Sequence, residues 1–380
     1  MKKRIFSMAL AGTMLLSGLV GCSSNSKNLV IGGIGPLTGS AATYGMAVEN
    51  GAQLAVDEIN AAGGVNEMTL ELNFQDDEND VEKAVNAYNT LKDKGMKLLM
   101  GTVTSKPCIA VSEYTKDDNM FMLTPSGSAV NCTQYDNAFR ICFNDPDQGK
   151  ASAQYIADNT SIKKVAVIYN SSDVYSNGIY DSFVAESKVK NLEVVEAQAF
   201  SADSSTDFAV QIQKIKESGA ELVFLPIYYK EAALILKQAD TAGLTTEFFG
   251  CDGLDGIIDQ LGDDVSLAED VMLLTPFAAD ATDEATKNFV ASYKSSFNNE
   301  VPNQFAADAY DAIYAIKAAL EEANVTDIDI DPSELCDLLK SAMTKIQIKG
   351  VTGDMTWTAI GEPNKEPKAV KIVDGAYVAM

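Results

Sequence analysis

The chain is 380 residues long, carries 54 acidic against 29 basic side chains for a net charge of −25, and contains no histidine. A chain this acidic is repelled by nucleic acid and by anionic lipid, so neither is an expected partner. Without histidine the commonest general base, the Ser–His and Cys–His nucleophile pairs and histidine-ligated metals are all excluded.

Lys2, Lys3 and Arg4 precede an almost unbroken apolar run, Ile5 to Val20. At roughly 16 residues it is short for the ~20 that a membrane-spanning helix needs, so a cleaved signal peptide is expected over 1–21. It ends in Leu19-Val20-Gly21-Cys22, followed by polar Ser23-Ser24-Asn25-Ser26-Lys27. That junction resembles the lipobox of bacterial lipoproteins. The resemblance implies that Cys22 becomes lipidated as the new N-terminus, with 22–27 as a flexible tether to the outer face of the cell membrane. No later segment approaches a transmembrane span.

After the tether, apolar strands alternate with amphipathic helices. Strands are expected at Leu29–Ile34, Leu70–Gln75, Lys97–Gly101 and Met120–Thr124. A second series follows at Lys164–Tyr169, Leu192–Phe200, Glu221–Tyr228 and Glu247–Gly250. Continuous runs such as "VAVIY" suit parallel strands covered on both faces. In "YGMAVENGAQLAVDEINAAGG", Val48, Ala52, Ala55 and Ile59 share one helix face, and Gly63-Gly64 marks its end. Alternation repeated twice argues for two α/β domains with parallel sheets. "FNDPDQG" at 143–149 reads as the first crossing, "LTP" near 274–276 as a return and "KGVTGDMTW" at 349–357 as a third crossing. The expected domains are 28–144 with 274–350, and 145–273 with 351–380. Cys132 and Cys142 are near enough to close a small loop, although buried free thiols fit equally.

In parallel sheets ligands sit beyond the carboxyl ends of strands, which points to the loops. "GPLTGSAATYG" after the first strand lacks both G-x-G-x-x-G and G-K-[ST], so a nucleotide phosphate is not its ligand. Ser105, and Ser126 with Ser128, stand at strand-to-helix turns, where hydroxyls and helix amides accept an anion such as a carboxylate. Asp252 is an acid on the other domain, able to take an ammonium. Tyr44, Tyr175 and Tyr228 offer apolar walls with polar tips. Singly these residues serve equally well as caps and turns; together they describe a zwitterion pocket, an amino-acid site.

The stretches "IGGIGPLTGSAATYG", "GAQLAVDEINAAGGV", "LTPSGSA", "FRICFNDPDQG" and "GVTGDMTW" resemble the substrate-binding proteins of branched-chain amino acid ABC transporters, over residues 28–380. The resemblance implies an α/β type I periplasmic-binding-protein fold: two domains, each with a mainly parallel central sheet flanked by helices, hinged around a ligand cleft. It implies that Ser105, Ser126 and Ser128 meet the ligand on one domain, and Tyr228 and Asp252 on the other. Tyr44, Val103, Tyr175 and Phe305 match its side-chain pocket. Two positions depart from the family: aspartate at 252 replaces the usual glutamate, and Asn79 and Thr104 stand where leucine- and valine-binding relatives carry a disulfide. The implied partners are a free amino acid and a transporter permease, with no cofactor, and the implied state is a monomer. Rival readings are another small ligand (a different amino acid, an aromatic acid or an amide) and a sensory role for the same pocket. A serine hydrolase is disfavoured, since there is no G-x-S-x-G and Ser161-x-x-Lys164 precedes a strand.

Overall fold

The computed structural model describes residues 28–380, so the leader over 1–21, Cys22 and the tether lie outside the described residues. The chain opens with β1 (Asn28–Gly35), α1 (Ala42–Ala61), β2 (Thr69–Asp76), α2 (Val81–Asp93), β3 (Leu98–Gly101), α3 (Ser105–Asp117), β4 (Met122–Thr124) and β5 (Ala138–Arg140). These five strands form one parallel sheet in the order β2-β1-β3-β4-β5. Every residue of β1 from Ile31 to Gly35 is buried, as its unbroken apolar run requires of a strand covered on both faces. On α1, Val48, Ala52, Ala55 and Ile59 are all buried as the periodicity predicts, and Gly63 and Gly64 follow its end with φ of 108° and 80°.

The second unit runs through α4 (Asp145–Asn159), β6 (Lys164–Asn170), α5 (Val174–Val189), β7 (Glu193–Phe200), α6 (Ala209–Ser218), β8 (Leu222–Leu225), α7 (Tyr229–Thr241), β9 (Glu247–Gly250), α8 (Ile257–Leu261) and β10 (Met272–Thr275). The chain then returns to the first unit with α9 (Glu284–Ser296), α10 (Gln304–Glu322) and α11 (Pro332–Met343). α9 and α10 pack on α1, and α11 reaches β3. A small hairpin, β11 (Gln347–Gly350) and β12 (Gly353–Thr356), precedes β13 (Lys368–Val373) and β14 (Ala376–Ala379). The larger sheet has the order β14-β13-β10-β9-β8-β6-β7, parallel from β6 to β10 and antiparallel at its β13–β14 edge.

Three crossings join the units. At the first, Asn144 caps α4 by accepting the Asp147 N–H at 2.9 Å, with Pro146 in the first turn, so "FNDPDQG" is both crossing and helix start. At the second, β10 pairs with β9 and β13 through Thr275, so residues 274 and 275 lie in the larger sheet instead of the first domain. The third also falls later than expected. Asp311 accepts the Val351 and Thr352 N–H groups at 2.9 Å each, and Trp357 Nε1 donates to the Arg140 carbonyl at 2.7 Å. Lys365 is buried on Asp308 at 2.7 Å, so the chain leaves the first unit only between Lys365 and β13. Cys108, Cys132, Cys142, Cys251 and Cys336 are all buried free thiols; no disulfide joins Cys132 to Cys142, and Cys132 instead donates to the Ser105 carbonyl at 3.6 Å.

Candidate functional site

Loops after β1, β3 and β4 meet those after β8 and β9 around one small cavity. All nine side-chain positions singled out from the sequence line it, joined by Thr104 and Gly253. The first loop can carry Tyr44 inward because Gly45 lets α1 fold back on Pro36. A Cβ at Gly45 would stand 2.0 Å from the Pro36 carbonyl oxygen.

On the first unit, α3 starts at Ser105 and its cap position is Thr104, so Ser105 is not the N-cap expected of it. Its hydroxyl accepts the Ala129 N–H at 3.1 Å, while the Ser126 hydroxyl donates to the Val103 carbonyl at 2.7 Å. Thr104 donates to Asn79 Oδ1 at 2.7 Å, closing the wall there with a polar pair. These bonds tie the loops after β3 and β4 together at the N-terminus of α3, whose first-turn amides an α-helix cannot satisfy internally. Ser128 completes this wall and holds the Asp145 N–H on its carbonyl at 3.0 Å.

On the second unit, Asp252 is 5% exposed. The Tyr175 hydroxyl donates to its Oδ1 at 2.6 Å and accepts the Gly253 N–H at 2.9 Å. Gly253 has no room for a side chain, since a Cβ would lie 2.6 Å from the Tyr175 hydroxyl. Burial pushes the Asp252 carboxyl up to about 6, even though the Tyr175 hydroxyl, the Gly253 amide and Gln148 favour its charged form. Among the described residues no lysine or arginine lines the cavity, so the ionised carboxylate calls for another cation, such as a ligand's ammonium.

Aromatic rings from both units form the remaining wall. Tyr44 stacks on Phe305 at 4.2 Å, Tyr228 stacks on Tyr175 at 4.9 Å, and Tyr228 meets Tyr44 edge-on at 5.5 Å. The Tyr44 hydroxyl reaches across, donating to the Gly253 carbonyl at 2.5 Å and accepting the Tyr229 N–H at 3.2 Å. Burial raises the hydroxyls of Tyr44, Tyr175 and Tyr228 well above their ordinary value, so all three act as neutral groups.

Four contributors were not read from the sequence. Tyr229 and Gly253 are chain neighbours of expected residues, and that adjacency was the available signal. Gln148 and Gln304 carried none: Gln148 takes the Asp252 N–H at 3.3 Å, and Gln304 donates its amide to the Asp252 carbonyl at 2.6 Å.

Known proteins share this architecture. The family described as "Periplasmic binding protein" matches residues 28–373. A Leu/Ile/Val-binding protein homolog of Brucella melitensis is 30% identical over 84% of this chain and 86% of its own length. A leucine-, isoleucine-, valine-, threonine- and alanine-binding protein of Pseudomonas aeruginosa is 29% identical over 87% of each. The branched-chain amino acid transporter substrate-binding protein of Streptococcus pneumoniae, solved with isoleucine, superposes with a TM-score of 0.84 at 27% identity, covering 93% of this chain and 98% of that one. A Rhodopseudomonas palustris solute-binding protein solved with benzoate reaches 0.83 at 19% identity over 93% and 95%, a likeness of fold alone. The fold is the type I periplasmic binding fold, and this chain belongs to the periplasmic binding protein family.

Proposed function

We propose that this protein is an extracytoplasmic solute-binding protein that closes its two units around a free amino acid, a branched-chain one foremost, and delivers it to the permease of an ABC transporter. The observation that carries the reading is the pairing, across one cavity, of buried Asp252 with hydroxyl- and amide-bearing loops on the other unit. The ligand carboxylate meets Ser105, Ser126, Ser128 and the start of α3, and its ammonium meets Asp252. Its side chain lies among Tyr44, Val103 and Phe305. The ligands named for the Brucella, Pseudomonas and Streptococcus relatives support the same choice.

Hinge closure around a ligand is the habit of periplasmic binding proteins. Here closure adds the contacts of Asp252, Tyr228 and the Tyr44 hydroxyl bridge, so these control the open–closed balance. The protein does no covalent chemistry in this role. Lipidated Cys22 tethers it, as a monomer, beside its permease.

The test is a thermal-shift screen of residues 28–380, stripped of co-purified ligand by unfolding and refolding, against all amino acids, benzoate and small amides. A ligand at a hundred times its Kd adds about 2.7 kcal/mol of stability. The largest shift is expected from leucine, isoleucine or valine. A response to benzoate or an amide with silence from every amino acid overturns the reading.

A further inference from the structure

We propose that a second cavity, at the other end of the turn that carries Asp252, binds a small organic cation: an amine with a compact apolar body. The cavity measures about 600 Å³ and shares no lining residue with the amino-acid cavity. Sites for small molecules run roughly 300–1,000 Å³, so it has room for one. Both units build it. The second unit supplies β10, β13, β14 and the turn before α8, and the first supplies α9 and the loop into α10.

Walls and charge together name the ligand class. Leu273, Phe277, Val290 and Val370 give apolar surface, and the Tyr377 side chain joins them. The charged lining residues are Asp255, Asp259, Asp280 and Glu300 against one base, Lys294. Asp255 is 5% exposed and forms the floor, whereas Asp259, Asp280 and Glu300 are exposed and stand at the mouth. Asp255 Oδ2 accepts the Gln304 N–H at 2.9 Å, but Oδ1 makes no hydrogen bond of good geometry among the described residues. Burial, with the Asp259 charge adding to it, pushes the Asp255 carboxyl up to about 6, even though the Gln304 and Gly256 amides and the Tyr377 hydroxyl favour its charged form. Among the described residues no ion pair ties Lys294 to any of the four acids. A buried carboxylate so placed gains most from a cation brought in from solution. That cation is not a metal, because among the described residues no three acids or thiols group closely enough to hold one. An ammonium for Asp255 and an apolar body for the walls match what the cavity offers.

Gln304 joins the two cavities. Its N–H holds Asp255, its side-chain oxygen accepts the Thr275 hydroxyl at 3.1 Å, and its side-chain nitrogen donates to the Asp252 carbonyl at 2.6 Å. The Asp255 N–H donates to that same carbonyl at 2.9 Å. Phe305, the next residue after Gln304, lines the amino-acid cavity and stacks on Tyr44. A cation seated on Asp255 between the two units favours their closed arrangement, so it tightens amino-acid binding, and the amino acid tightens binding of the cation by the same factor. The site does not depend on what the first cavity takes; the coupling rests on the amino-acid reading above.

Benzylamine, benzyl alcohol and benzoate share one body and are cationic, neutral and anionic at neutral pH. They are titrated by calorimetry into Asp252→Asn, whose amino-acid cavity has lost its acid. Benzylamine is expected to bind one to one, about tenfold or more tighter than benzyl alcohol, with no binding of benzoate. Adding Asp255→Asn is expected to weaken benzylamine by about tenfold or more. Should that variant not fold, Asp259→Asn with Glu300→Gln, both at exposed positions, is expected to weaken it several-fold. Absence of saturable benzylamine binding to Asp252→Asn, or equal binding of amine and alcohol, overturns the site; binding to wild type alone places the amine in the amino-acid cavity and overturns it too. In wild type, saturating benzylamine is expected to lower the Kd of leucine, isoleucine or valine by about fivefold or more. An unchanged Kd overturns the coupling and leaves the site. If none of the three amino acids binds, the coupling falls with the amino-acid reading, while the titrations of Asp252→Asn still decide the site.

Discussion

Asp252 serves binding and opposes folding. Its carboxyl moves from 3.8 to about 6 on burial, so keeping it ionised at neutral pH destabilises the native state by on the order of 3 kcal/mol. Asparagine keeps the shape and still accepts the Tyr175 hydroxyl, but removes the charge. Asp252→Asn is therefore expected to raise the melting temperature of the ligand-free protein while weakening amino-acid binding by two orders of magnitude or more, from the roughly 3–5 kcal/mol cost of stranding a buried ammonium. Calorimetry of both quantities checks it, and a variant that binds like wild type places the ammonium elsewhere. At this scale the sequence was legible wherever a residue followed a strand's carboxyl end, which is how Ser105, Ser126, Ser128 and Asp252 could be picked out. Gln148 and Gln304 were not legible because what they do depends on bonds to Asp252 across 104 and 52 residues of chain, which no local pattern encodes.

Helix α1 and helix α7 meet N-terminus to N-terminus through two tyrosine hydroxyls. Tyr44 Oη links the Gly253 carbonyl to the Tyr229 N–H, the first residue of α7, and the Tyr229 hydroxyl in turn receives the Thr43 N–H at 3.5 Å. Tyr44→Phe keeps the ring stack on Phe305 and leaves a buried carbonyl and amide unpaired. Removing one partner of such bonds costs about 1–3 kcal/mol. The expected outcome is a tenfold or greater rise in Kd and, in solution scattering, a larger radius of gyration at subsaturating ligand; an unchanged Kd means the bridge does not bear on closure. The long apolar runs of β1 and β6, eight and seven residues, announced themselves, whereas β5, at three residues, and β10 were not read as strands. The β13–β14 hairpin did carry a signal: Asp374-Gly375, with φ of 50° and 74°, is a dipeptide suited to a tight turn between strands.

For the whole molecule, alternation along the chain points to two α/β units, but it could not place the later crossings, because residues 351–365 hold to the first unit by long-range bonds to Asp311, Arg140 and Asp308. Other buried acids shape the response to pH. Burial holds Asp77 at about 7 and Asp252 and Asp255 at about 6, against 3.8 for the ordinary side chain. Between about pH 4 and pH 7 the folded chain thus binds more protons than the unfolded one, so the free energy of unfolding increases as pH falls through this window. The net charge of −25 acts in the same direction, since protonation relieves self-repulsion. The ligand-free protein is accordingly expected to melt higher at about pH 5.5 than at about pH 8, with the difference reduced in Asp252→Asn, which no longer titrates there. Scanning calorimetry across that range tests it, and a melting temperature that climbs with pH contradicts the assignment of these carboxyls as raised. Ligand binding must follow the opposite trend, because the ammonium needs the ionised form of Asp252. The stabilisation added by a fixed concentration of amino acid should therefore shrink as pH falls, even while the ligand-free protein becomes harder to melt.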